Sequence, residues 1–299
     1  MSSELVELAS REFRVIAERF GAQLESRSGA GVHAVRTVGG EAAYLKVTPG
    51  AVGPRALAAA RRELRFYQEL APVVPVCTPR LLDSLDTEEG VAVLLAAAGK
   101  PRVAALWTDE MWASLGRNLA ALHGMRVPPA GSWDRPDALL EVIAAPNVDE
   151  ISDFWADALP TLMSLHAELQ ERIASLPPVL VHGDCHLDNI VHGTGSLVFC
   201  DWQAVGIGRP VSDLAFLSVR ATPSGTAVPR VLVDAYLDNS PHDRRRLERA
   251  LVAEELATLV FLWPPYAVFN SPAGIERIRR RARDLAERFL ADPDHQRYC

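Results

Sequence analysis

The stretch Val181-His182-Gly183-Asp184-Cys185-His186-Leu187-Asp188-Asn189-Ile190 decides how the rest of the chain is read. It leaves a short predicted strand, Val179 to His182, and carries His-x-Asp followed by four residues and Asn. With 8 His, 18 Asp and 5 Asn in 299 residues, that spacing is expected by chance about 0.008 times, so coincidence explains it poorly. A carboxylate can take a proton from a hydroxyl, and an amide oxygen five residues on can hold a hard divalent cation against a triphosphate. A competing reading is a transition-metal cluster, since His182, Asp184, Cys185, His186 and His192 are all possible ligands. Transition-metal sites usually draw ligands at helical spacing or from separated segments into an ordered geometry, and hydrogen-bonding roles are expected for the histidines. Twelve residues after Asn189, the apolar run Leu197 to Cys200 delivers a carboxylate, Asp201, at the end of a second predicted strand.

Outward from this loop, the first hundred residues read helix, hairpin, helix, hairpin. Apolar positions from Leu5 to Phe20 recur at helical period. Val32 to Val38 and Ala42 to Val47 flank Gly39-Gly40, whose glycines supply the positive φ of a tight turn. A helix is predicted over Pro54 to Leu70, then strands over Arg80 to Ser84 and Val91 to Ala96 around a turn-like DTEEG. After Gly99 the pattern is mainly helical: Asp109 to His123 with Asp109 as its N-cap, further helices to about Leu176, and helix again from Val211 onward. The expected fold is α+β in two lobes, an antiparallel-sheet N-lobe over residues 1 to 98 and a mainly helical C-lobe over 99 to 299.

Composition narrows the class. The chain is 48% hydrophobic and 23% charged, enough to bury a large core. A net charge of −7 argues against nucleic acid and leaves cationic small molecules as natural partners. Cys77, Cys185, Cys200 and Cys299 form no C-x-x-C pair, so free thiols are expected. No signal-peptide pattern or membrane-length apolar run is seen, and the expected setting is the cytoplasm, as a monomer or weak dimer. Of 31 basic residues only Lys46 and Lys100 are lysine, an arginine bias that suits a GC-rich genome.

VHGDCHLDNIV followed by VFCDWQAVGIGRPVSDLAFL resembles the aminoglycoside phosphotransferase family of antibiotic kinases, within the protein-kinase-like superfamily. There a strand leads into H-G-D-x-x-x-x-N, and an aspartate segment followed by G-x-P-x-x-D-L-A replaces the D-F-G of protein kinases. The resemblance implies Asp184 as catalytic base, Asn189 and Asp201 as Mg²⁺ ligands, and Asp213 as a buried brace for the loop. It implies that Lys46, in the apolar strand Tyr44-Leu45-Lys46-Val47, grips nucleotide phosphates and is held by Glu63, with Glu69 as fallback. A chain that uses arginine almost everywhere keeps lysine here, which fits a compact point charge. Ser28, Gly29 and Gly31 occupy the place of the phosphate-covering loop, and Ala96, Ala98 and Gly99 the place of the hinge that reads adenine.

The implied activity is transfer of the γ-phosphate of ATP, or GTP, with Mg²⁺, to a hydroxyl of a cationic antibiotic, an aminoglycoside or basic peptide, giving resistance by inactivation. Acidic candidates for the acceptor are Asp153 and Asp157, in register with Asp149, together with Glu254, Glu255 and Asp188; for each of the helical ones taken singly a solvated helix face is the favoured reading. A metabolite kinase acting on choline, homoserine or a sugar is the alternative within the class. A catalytically silent nucleotide-binding module is the alternative outside it.

Overall fold

Alternation along one strand sets the layering of the N-terminal unit. In the computed structural model, which describes residues 2–17, 24–25, 30–129, 131–155 and 159–292, the strand is Ala42–Pro49, β4 with elements numbered in chain order. Ala43, Leu45 and Val47 point to one face, where they pack with Leu5 and Ala9 of α1 (Ser2–Glu12) and with Phe13 just past its end. Tyr44, Lys46 and Thr48 therefore point to the other face, that of α2 (Pro54–Glu69). β4 is central in an antiparallel sheet ordered β1-β3-β4-β6-β5, with β1 Val15–Ala17, β3 Gly31–Thr37, β5 Leu81–Thr87 and β6 Gly90–Ala96; β2 (Leu24–Glu25) pairs with β3. The glycine turn between β3 and β4 is present, Gly40 adopting a φ of 82°.

Two expectations change. The first helix ends at Glu12, not near Phe20: Arg14 sits at a φ of 51°, which breaks the helix, and β-branched Val15 and Ile16 pair with Thr37 and Arg36 of β3. The first unit also runs past residue 98, through Arg102, and takes in Asp188–Val205. The reason is strand pairing: β9 (Ile190–His192) lies between β10 (Leu197–Phe199) and β7 (Lys100–Pro101), and the Phe199 N–H donates to the Cys77 carbonyl at 2.8 Å. Within this unit Trp202 stacks on Phe66 of α2, ring centroids 4.0 Å apart, which seats the turn after Asp201 on α2.

The second unit, Val103–Leu187 with Gly206–Cys299, is helical. It comprises α3 (Asp109–His123), α4 (Ala138–Ala144), α5 (Val148–Trp155), α6 (Leu159–Ser164), α7 (His166–Ile173), α8 (Ser212–Ala221), α9 (Arg230–Asn239), α10 (Arg244–Ala257) and α11 (Pro272–Leu290). Thr108, not Asp109, caps α3, its Oγ1 accepting from the Met111 N–H at 3.3 Å. Leu169, Ile173, Leu256, Leu259, Ile278 and Leu285 form the centre of the core around α10. Its only described strands are β8 (Val179–Val181) and β11 (Gly206–Gly208), paired antiparallel. β11, two of whose three residues are glycine, has no strand propensity of its own and owes its form to β8. No helix among the described residues is long and apolar enough to cross a membrane.

Phe66→Ala should destabilise the fold by about 3–5 kcal/mol in urea titration, because it empties the seat under Trp202. Val38→Ala, at a position 74% exposed, should move the midpoint by no more than about 0.5 kcal/mol.

Candidate active site

A lysine in a central strand, with an apolar sheet on either side of it, needs a partner for its charge. Lys46 has two. Its Nζ lies 2.8 Å from Glu63 Oε2 on α2 and 2.8 Å from Asp201 Oδ1 just beyond β10. Lys46 is 9% exposed and Glu63 1%. Burial works against the ammonium, but the two carboxylates outweigh it and hold the lysine pKa above its ordinary value. Glu63 is pushed upward, first by burial and also by the charge of Asp201, against the pull of Lys46. Arg62, next to Glu63, donates to the Val205 carbonyl at 2.9 Å and ties α2 to the turn after Asp201.

Asp201 has a left-handed backbone, φ 62°, uncommon outside glycine and tolerated by aspartate. Asn189, 8% exposed, stands at the matching end of the neighbouring strand: the Cys200 N–H donates to the Asn189 carbonyl at 2.8 Å, and Phe199 pairs with Ile190. Hairpin register thus places Asn189 and Asp201 at one end of the β9–β10 hairpin of the first unit. Both offer oxygen donors, the set a hard divalent cation takes. Cys200 is a half-buried thiol raised to about 12, burial first and Glu63 second. Among the described residues no group of three or more His, Cys, Asp and Glu side chains is placed to hold a metal ion.

In the second unit, the loop after β8 is held by its backbone. Asp213, in the first turn of α8 and 1% exposed, accepts from the N–H of His182 and of Gly183, both at 2.8 Å. Gly183 has a φ of 82°, which only glycine adopts readily, and the next residue is Asp184. The Asp184 carboxylate is 38% exposed and 3.8 Å from His186 Nε2. Burial alone would raise Asp213, but the His123 hydrogen bond and charge, His182 and the Gly183 N–H bring it down to about 2.

Sequence reasoning missed the partners behind Asp213. His123, at the end of α3, places Nε2 3.1 Å from Asp213 Oδ2 and Nδ1 2.9 Å from the Tyr236 hydroxyl, which donates to the Pro210 carbonyl at 2.6 Å. A histidine in the apolar register of Leu115, Leu119 and Leu122 was the available signal.

The remaining expected residues scatter. Gly31 is the first residue of β3, paired with Val47, while Ser28, Gly29 and Asp157 lie outside the described residues. The N–H groups of Ala96 and Ala97 are taken by Arg80 and Ala42; Ala98 is half-buried beyond them. Glu69 pairs with Arg65 on the surface and leaves Glu63 to Lys46. Asp149, Asp153 and Asp188 are exposed. Glu254 and Glu255, expected to face an acceptor, are instead 2% and 3% exposed. Arg209 grips Glu254 through two bonds of 2.6 Å and also reaches Asp137; Arg281 grips Glu255 at 2.6 and 2.8 Å. Both carboxylates are internal ties, because a buried carboxylate needs such a partner.

A strand lysine paired with a helix glutamate, an aspartate beyond a hairpin and a braced His-Gly-Asp loop define a kinase-like phosphotransferase. The chain belongs to the phosphotransferase enzyme family, whose profile matches residues 24–249. It is a small-molecule phosphotransferase acting on hydroxyl acceptors. Solved structures of similar fold include a choline kinase from Cryptosporidium parvum (12% identity, TM-score 0.63, covering 98% of this chain and 97% of that one). The amicoumacin kinase hAmiN, in complex with AMP-PNP, Ca²⁺ and Ami, matches at 12% identity and TM-score 0.58 over 98% of this chain and 96% of its own. An aminoglycoside phosphotransferase from Streptomyces rimosus, in complex with ADP and streptomycin, matches at 19% identity and TM-score 0.54 over 85% of this chain and 98% of its own. At these identities the likeness is one of fold. Among curated proteins no sequence matches this chain.

Because Asp213 titrates at about 2 in the fold and near 3.9 unfolded, its stabilisation is complete above about pH 4 and is lost as pH falls toward 2. Asp213→Asn should therefore cost about 2–3 kcal/mol at pH 7 and flatten stability between pH 4 and 2. Urea midpoints measured across that range check it; an unchanged profile would remove Asp213 as the brace.

Proposed function

We propose that the chain transfers the γ-phosphate of ATP, or GTP, to a hydroxyl of a cationic antibiotic, an aminoglycoside or basic peptide, and so confers resistance by inactivation. The observation that carries the phosphoryl-transfer half is the Lys46 ammonium, 2.8 Å from both Glu63 and Asp201. In this reading Lys46 meets the nucleotide phosphates, where a preformed positive charge offsets charge that develops during transfer. Asp184 accepts the hydroxyl proton and orients the oxygen, its carboxylate accessible on a loop fixed by Asp213. Asn189 and Asp201 would hold Mg²⁺, to which their oxygen donors and shared hairpin end are suited. The bound ion would neutralise phosphate charge. The alanine segment at Ala96 and Ala98 would meet the adenine ring, and Gly31 the phosphates.

A cationic acceptor is supported by the net charge of −7 and by the exposed carboxylates of Asp149, Asp153 and Asp188. The solved relatives are named for, or hold, amicoumacin, streptomycin or choline. The choline kinase is the reason to keep a second reading, a metabolite kinase acting on choline, homoserine or a sugar.

A coupled ADP-release assay with Mg-ATP against streptomycin, amicoumacin, basic peptide antibiotics, choline and homoserine tests the proposal. Turnover on an antibiotic is expected, and Asp184→Asn should lower it by about 10²–10⁴ with nucleotide binding retained. Turnover on choline or homoserine alone would establish the second reading. Wild-type turnover in Asp184→Asn would overturn the base assignment, and no turnover on any acceptor would favour a silent nucleotide-binding module.

A further inference from the structure

Leu214 and Ser218 of α8 and Thr222 just past its end form one stripe. It borders a cavity of about 350 Å³ within the second unit, closed by side chains of α9, α10 and α11. The polar part of its wall is dominated by guanidinium groups: Arg230 from α9 and Arg277, Arg281 and Arg288 from α11. Two carboxylates face them, Glu248 and Glu255, and both are already engaged. Glu255 accepts from Arg281 at 2.6 and 2.8 Å and from the Ser218 hydroxyl at 2.7 Å; Glu248 accepts from Arg230 at 2.6 Å.

That leaves Arg277 and Arg288 with no carboxylate partner among the described residues. Arg277 donates to the Pro223 carbonyl at 2.8 Å. An adjoining hollow shares Arg230 and Arg288 and adds Arg245, again without a carboxylate partner among the described residues, and Arg249, which pairs with Asp292 at 2.9 Å. A chain with a net charge of −7 thus gathers uncompensated positive charge on one cavity. Guanidinium groups match oxyanions in geometry as well as charge. The rest of the wall carries the hydroxyls of Ser218, Thr222 and Thr226 and the apolar side chains of Leu214, Val252 and Leu285.

We propose that this cavity binds a small amphiphilic anion, a phosphate or carboxylate head against Arg288, which lines both hollows, and a short apolar body against Leu214, Val252 and Leu285. The site is separate from the residues assigned to phosphoryl transfer and does not depend on that assignment.

Isothermal titration of the full chain with hexyl phosphate, hexanoate and hexanol tests it. At least one of the two anions should bind once per chain and hexanol should not. The double change Arg277→Ala with Arg288→Ala should weaken binding at least about tenfold, and Arg288→Glu alone, at an exposed position, should weaken it in the same direction. Arg283→Ala, which removes only the exposed pair with Glu276, should leave it intact. Absence of binding by both anions, equal binding of hexanol, or binding unchanged in the arginine variants would each overturn the proposal. The last is what occupation of the nucleotide-binding residues would produce.

Discussion

The first unit depends on one ammonium shared by two carboxylates. Lys46 is placed among β-sheet neighbours by strand alternation, and its charge would be prohibitive there without Glu63 and Asp201 at 2.8 Å. The pairing joins β4 and α2, neighbours in sequence, to the end of β10, where Asp201 lies 155 residues beyond Lys46. It also leaves one carboxylate in excess, which adds to burial, the larger cause, in driving Glu63 above its ordinary range even beside a cation. The stacking of Trp202 on Phe66 and the bond from Arg62 to Val205 keep the aspartate end in place while the sheet keeps the lysine end.

In the second unit the same logic appears with the backbone as the held group. Asp213 accepts two N–H groups of consecutive residues and so sets the direction in which the chain leaves β8. His123 and Tyr236 then fix Asp213, so the position of Asp184 rests on three side chains from three helices. None of them is expected to touch substrate.

How much of this was legible in the sequence follows from how local each interaction is. The β3–β4 hairpin, α2 and α3 announce themselves by period and turn chemistry, and Lys46, Glu63 and Asp213 by motif spacing. The helix stop at Arg14 was not legible, because it is set by pairing of Val15 and Ile16 with β3, a tertiary event. Nor was the transfer of 188–205 to the first unit, which rests on pairing with Lys100 and Pro101. Glu254 and Glu255 read as acceptor ligands because their guanidinium partners, Arg209 and Arg281, lie 45 and 26 residues away. A carboxylate on a helix looks the same in sequence whether it meets solvent or a buried arginine.

The account rests most heavily on a point charge at position 46, and Lys46→Arg probes that charge while keeping its sign. Turnover of Mg-ATP with a productive acceptor, measured beside wild type on protein of unchanged circular dichroism, should fall by about 10²–10³, because a planar fork cannot occupy the position between Glu63 and Asp201. Wild-type turnover in Lys46→Arg would contradict it.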